Sequence, residues 1–374
     1  MAHAYTPGLR VTDRAALRRT RRLPLPGTVL VEVGAKVTAE TPVARTELPG
    51  NVQTVNVASL LGVHQSDIAE CMLKKEGDPV EANETIASTK SFFGLFRAKC
   101  ASPVKGSIES ISSVTGQVLL REPPIPVEVD AYIDGTVIEV LPREGVVVEA
   151  SGAFLQGIFG IGGETSGILH RVVESPDTPL TEDLLDANCR GKVVVGGSQV
   201  TAKGLAKAVQ VGAKAVVVGG IDDKDLRDFL GYDLGVAITG SEEKGVTLVI
   251  TEGFGRMTMA RKTFDLLGRH VGQKCSVNGA TQIRAGVMRP EVVIPLTHER
   301  VSIADGAASE GLRIGSPVRA IREPYFGRLG SVVDLPPDLQ TLETEAKVRV
   351  LTVQFEGASG PAVLPRANVE MIEE

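Results

Sequence analysis

Several polar residues stand where strand-like runs give way to loops. Asp222 and Asp223 follow AKAVVVGGI, Glu242 follows VAITG, Glu252 lies in TEGFG after VTLVI, and Asn278 opens NGATQIR. Carboxylates at the carboxyl ends of α/β strands lie where such sheets bind ligands. Together they could hold a metal ion or share acid/base work. The same residue types after a strand are also ordinary helix caps and first-turn residues, which is the plainer alternative. The glycine pairs Gly196-Gly197 and Gly219-Gly220 sit in the same strand-end positions.

Other chemistry is thinly represented. The histidines at 3, 64, 170, 270 and 298 form no HExxH or similar pair, and there is no GxSxG elbow. Cys71, Cys100, Cys189 and Cys275 are far apart with no CxxC, which argues against zinc and against a disulfide framework. No metal site and no cofactor are expected. The segment 151–167 is glycine-rich and could cradle a phosphate through backbone N–H groups. A nucleotide fingerprint needs a helix after the loop, whereas ILHRVV follows and reads as a strand. The segment is therefore expected to be a glycine-shaped turn or bulge.

Two further groups suit binding rather than catalysis. Residues 1–23 form a basic arm, with Arg10, Arg14, Arg18, Arg19, Arg21 and Arg22 against the single acid Asp13. Such an arm suits RNA, an anionic lipid surface or an acidic protein. The plainer alternative is a short element packing Leu9, Val11 and Leu17. Phe92, Phe93, Leu95 and Phe96 form an apolar cluster, either folded onto a core or exposed to a partner.

The 374 residues carry 40 Lys and Arg against 46 Asp and Glu, a net charge of −6. A uniformly nucleic-acid-wrapping surface is excluded by that balance. With 43% hydrophobic and 23% charged residues, wholesale disorder is excluded as well. No stretch approaches the ~18 apolar residues of a membrane span, and the first residues lack a secretory core. The expected location is the cytoplasm.

From 24 to about 175 short β runs alternate with Gly and Pro, which predicts an all-β unit. One helical insert is expected across VASLLGVHQSDIAECMLKK. VGAKVTAETPVARTE (33–47) and EGDPVEANETIASTK (76–90) align through Gly34/Gly77, Val37/Val80, Ala39/Ala82, Ala44/Ala87 and Thr46/Thr89, the pattern of an internal duplication. From 176 to 300, strands and helices alternate, and solid valine runs predict a mostly parallel sheet covered on both faces.

EGDPV, then ETIA, then SPVKGSI resemble the biotinyl/lipoyl-type barrel-sandwich hybrid, over roughly residues 24–130. In carriers of that family a modified lysine lies in the hairpin between the motifs. Lys90 is the comparable residue here, but the apolar insert after it reshapes the hairpin, so a non-carrier use of the fold is expected. GKV leading to AKAVVV is weakly similar to swivelling β/α domains. The segment GSPVRAIREPYFGRLGSVV (315–333) resembles a KOW motif, which implies an SH3-like barrel of the kind found in NusG-like factors and several ribosomal proteins. Such barrels contact RNA or protein. From 316 to 374 there are six basic and nine acidic residues, so protein contact is favoured over RNA. Arg319, Arg322, Tyr325, Phe326 and Arg328 are the candidate contact residues.

The expected architecture is multidomain α+β: a basic arm (1–23), a duplicated barrel-sandwich β domain (24–175), an α/β domain (176–300) and a KOW-like SH3 barrel (301–374). The expected function is that of a cytosolic, non-catalytic adaptor or assembly protein, with the transcription or translation machinery as the setting the KOW resemblance implies. It would act through protein contacts or self-association. RNA binding through the arm and barrel is the alternative. An enzyme or small-ligand sensor in the α/β unit is the second.

Overall fold

The computed structural model describes residues 9–89, 98–232, 244–281, 289–296, 312–320, 324–325, 328–336, 339–341, 347–358 and 360–371. Glu242, Arg322, Phe326, Lys90 and the cluster Phe92, Phe93, Leu95 and Phe96 lie outside them. The protein is mostly β, in several sheets.

Strand β1 (Val11–Arg22) leads into short strands β2 (Thr28–Val29) and β3 (Lys36–Val37) and the longer β4 (Pro42–Leu48). A self-contained sheet follows, ordered β5 (Val52–Asn56), β10 (Gln117–Arg121), β9 (Gly106–Ser112) and β6 (Pro79–Val80). The hairpin β7 (Thr85–Ser88) and β8 (Lys99–Ala101) lies in the same stretch. Instead of one long helical insert, the chain forms two short helices, α1 (Val57–Leu61) and α2 (Ile68–Cys71). Gly62 ends the first, and a single 3₁₀ turn at Gln65–Asp67 precedes the second.

Strand β11 (Ile125–Asp130) returns antiparallel to β4, which itself pairs with β2. Next come β12 (Gly135–Leu141), β13 (Gly145–Gln156), β14 (Phe159–Ile161), β15 (Glu164–Arg171), β16 (Lys192–Val195), β17 (Gln199–Val200), β18 (Ala215–Ile221), β19 (Thr247–Phe254), β20 (Lys274–Asn278) and β21 (Glu291–Pro295). These ten strands, with β1 and β3, make one 12-stranded sheet. Strands on both sides of residue 175 belong to it, so the boundary expected there runs through a continuous sheet.

Within that sheet β15, β16, β18 and β19 pair in parallel. Every residue of β18 is buried, as a valine-rich run covered on both faces requires. Helices α3 (Ala202–Val211) and α4 (Asp223–Leu230) pack Leu205, Ala208, Leu226 and Leu230 against Val194, Val216 and Val218. On the opposite face α5 (Arg261–Arg269) packs Phe264 and Leu267 against Val193, Val195 and Val217, with Val11 of β1 in the same cluster. The period-2 alternation of side chains divides each parallel strand between two cores.

The C-terminal strands β22 (Pro317–Ala320), β23 (Leu329–Asp334), β24 (Leu339–Thr341), β25 (Lys347–Phe355), β26 (Ala362–Pro365) and β27 (Val369–Met371) form an antiparallel six-stranded sheet. Val318, Val332, Leu351, Val353, Phe355 and Leu364 fill its core. No helix among the described residues is long and apolar enough to cross a membrane.

Candidate functional site

The carboxyl ends of β16, β18 and β19 are where a parallel sheet offers a ligand crevice. Here the chain lies across them. Met259 N–H donates to Pro176 O at 3.1 Å and Ser198 N–H to Thr178 O at 3.1 Å. A Cβ on Gly219 would come within 2.0 Å of Met257 O, and one on Gly197 within 2.3 Å of Thr178 O. The strand-end glycines thus admit two covering segments, 175–178 and 255–259, against the sheet. Their role is close backbone approach.

Among the described residues, the acidic candidates Asp222, Asp223 and Glu252 do not converge. Asp222 caps α4, accepting from Lys224 N–H at 2.9 Å. Asp223 pairs with Arg227 one turn on, at 2.9 Å. Asn278 accepts from Ala280 N–H at 2.9 Å. Among the described residues no group of three His, Cys, Asp or Glu is close enough to hold a metal ion. Of the five residues expected to share a ligand site, Asp222, Asp223, Glu252 and Asn278 have separate capping, ion-pair and turn roles, and Glu242 lies outside the described residues.

Glu252 has a different use. Its Oε1 accepts from Ala260 N–H at 2.9 Å, and its Oε2 lies 2.6 Å from Arg319 Nη2 in β22. Both side chains are only 4% exposed. Arg319 Nη1 also donates to the backbone oxygens of Glu252 and Thr251, at 2.8 and 3.3 Å. Arg319, expected to face a partner or RNA, is instead buried against the large sheet. The strand pattern Val-Arg-Ala points Arg319 away from the barrel core, and β19 covers that outer face. Tyr325 stacks on Phe355 with ring centroids 5.0 Å apart, and the Arg328 guanidinium lies 5.4 Å from the same ring.

The basic arm is strand β1, paired with β13 from Val11↔Leu155 to Arg22↔Gly145. Leu9, Val11 and Leu17 are buried. Arg19 makes a two-pronged pair with Glu291, at 2.8 and 2.7 Å, and Arg21 does the same with Glu164, at 2.7 and 2.6 Å. Arg18 and Arg22 pair with Glu149 and Glu144. Of the two readings of the basic arm, the element that packs Leu9, Val11 and Leu17 is the one formed, as a charged sheet strand. Charge along an exposed strand opposes pairing with another chain. The glycine-rich 151–167 is likewise built into β13, β14 and β15 rather than forming one loop.

Sequence reasoning passed over the acids that receive these arginines, because nothing local to Glu164 or Glu291 names its partner. Glu164 lines a cleft of about 350 Å³ with Glu40, Asp130, Tyr132, Ser166 and Lys214 on its walls. Lys274 Nζ lies 2.8 Å from both Glu40 and Asp134, and Ser166 Oγ donates to Glu40 at 2.5 Å. Partial burial works to raise the Glu40 pKa, but the hydrogen bonds from Lys274 and Ser166 and the lysine charge hold it down at about 2. Asp130 is shifted the other way, by burial and, against the pull of Arg21, by the nearby charges of Glu128, Glu164 and Glu40. Tyr132 donates to Glu291 at 3.1 Å. The cleft is a polar seam whose charges tie the loops at 40 and 130–134 to the large sheet. Compared with known proteins, no family model matches the chain, and no curated protein matches it.

Proposed function

We propose that the protein is a non-catalytic adaptor or assembly protein that works through protein contacts of its β units. The observation that carries this reading is the buried Arg319–Glu252 pair. It fastens the C-terminal barrel to the sheet edge where an enzyme of this topology would open its ligand crevice. The pairing of Arg18, Arg19, Arg21 and Arg22 with acids of the same chain supports it too, since phosphate binding draws on uncompensated cations.

Several finer assignments belong to this reading. The C-terminal unit is taken as a KOW-like SH3 barrel, supported by its six short antiparallel strands and the Tyr325–Phe355 stack. Residues 176–300 are taken as an α/β unit on which the other β elements are built. The duplication is supported by matched turns: Gly34 and Gly77 have φ of 89° and 88°, and each donates its N–H over 2.7 Å, to Val137 O and Ile108 O respectively. Association with the transcription or translation machinery, in the cytoplasm, completes the proposal.

Native mass measurement of the protein purified gently from its own cells, with and without nuclease, tests it. A defined complex with protein subunits that survives nuclease is expected. A complex that dissolves with nuclease, or RNA affinity falling steeply with salt, replaces this reading with the RNA one. A monomer carrying a small-molecule adduct replaces it with the ligand-sensor reading.

A further inference from the structure

Strands β4 and β11 pair as far as Leu48↔Ile125, and β5 and β10 begin at Val52↔Arg121. Between these two ladders each chain contributes three residues, Pro49-Gly50-Asn51 and Glu122-Pro123-Pro124. Proline has no N–H to give to a ladder, and one backbone hydrogen bond bridges the interval, from Glu122 N–H to Asn51 O at 2.9 Å. The strands cross so closely that a Cβ on Gly50 would lie 2.0 Å from Glu122 O. The neck is thus a two-stranded ribbon with an interrupted ladder.

Beyond the neck, residues 51–122 have a core of their own. Val57, Ile68, Ile86, Ile108, Val118 and Leu120 are buried in one cluster that, among the described residues, draws on 55–120. The ion pairs described there, Lys74–Glu84, Lys105–Glu81 and Arg121–Glu109, all close within the segment. Arg121 also donates to Gly50 O at 3.1 Å, and Asn51 and Gln53 donate to Glu122, so even the neck contacts are local. Cooperative units of this kind open separately when few contacts cross their boundary.

We infer that residues 51–122 are an inserted module that folds as its own cooperative unit and pivots as a body on the Pro49–Asn51/Glu122–Pro124 neck. This goes beyond the adaptor reading and holds whichever partner the protein has. A pivoting module and a barrel fastened by Arg319 would give one chain a movable face and a fixed one.

Hydrogen exchange on the full-length protein, resolved by peptide, tests the first half. Ile108→Ala empties part of the module core, so amides in 51–122 should exchange roughly thirtyfold faster or more, with protection of β13, β18 and β19 unchanged. Complete loss of protection confined to 51–122 supports the inference equally. Val217→Ala in β18 should show the reverse pattern. Either variant loosening both regions together overturns the independent unit. ¹⁵N relaxation of the intact protein tests the second half. A shorter effective tumbling time for 51–122 than for the large sheet is expected, and one common tumbling time overturns the pivot.

Discussion

Replacing Arg319 with Met tests how the barrel is fastened. The guanidinium makes one ion pair and two carbonyl hydrogen bonds to β19, in a place where both charges are 4% exposed. Removing it strands the Glu252 carboxylate, which among the described residues keeps its bond from Ala260 N–H. Breaking a buried pair from one side costs about 3–5 kcal/mol, because the remaining charge is desolvated and uncompensated. The Arg319→Met/Glu252→Met double variant removes both charges and should recover most of that loss, since a well-packed apolar replacement is often neutral. The assay is denaturant-dependent hydrogen exchange on peptides of β19, β22 and β25, because a chain with several cores need not unfold in one transition. The single variant should lose protection at β22 and along the β19 edge, and the double variant should regain it. A loss below about 1 kcal/mol for Arg319→Met, or a double variant no better than the single, would refute the tie.

Three other outcomes follow from particular contacts. Glu40, held at about 2 against an ordinary value of 4.5, stabilises the fold above its unfolded pKa, and that contribution is lost as pH falls through 4.5 towards 2. Because the side chain is 57% exposed, solvent screening leaves about 1 kcal/mol of it. Glu40→Gln should therefore lower stability at pH 7, with the gap to the parent narrowing below pH 4.5 and closing only as pH approaches 2 in thermal melts; a constant gap would contradict this. Gly219→Ala should cost about 3 kcal/mol through its collision with Met257 O, whereas Gly163→Ala, with open space around it, should melt within a degree or so of the parent. Burial lifts the Cys275 thiol to about 12 and raises Cys100 and Cys189 as well. A thiol reagent at pH 8 should thus modify half-buried Cys71 first in the native protein, and fast reaction at Cys275 would contradict its burial.

Much of the local structure was legible in the chain. The valine run of β18 announces a strand covered on both faces, and Asp222 announces the start of α4 by capping chemistry. Gly34 and Gly77 mark matching turns because a left-handed backbone there favours glycine. These features depend on a residue and its immediate neighbours, so sequence alone determines them. The partners of charge were not legible. Six arginines near the start of the chain look like an arm seeking an anion, yet Arg19 and Arg21 find Glu291 and Glu164 across the sheet. Arg319 in an alternating strand looks solvent-facing, and only the packing of β22 on β19 turns it inward to Glu252. A charge is satisfied by whatever the fold brings within a few ångströms, often from hundreds of residues away. Periodicity therefore fixed which residues form strands, while tertiary structure decided which surfaces of those strands remain surfaces.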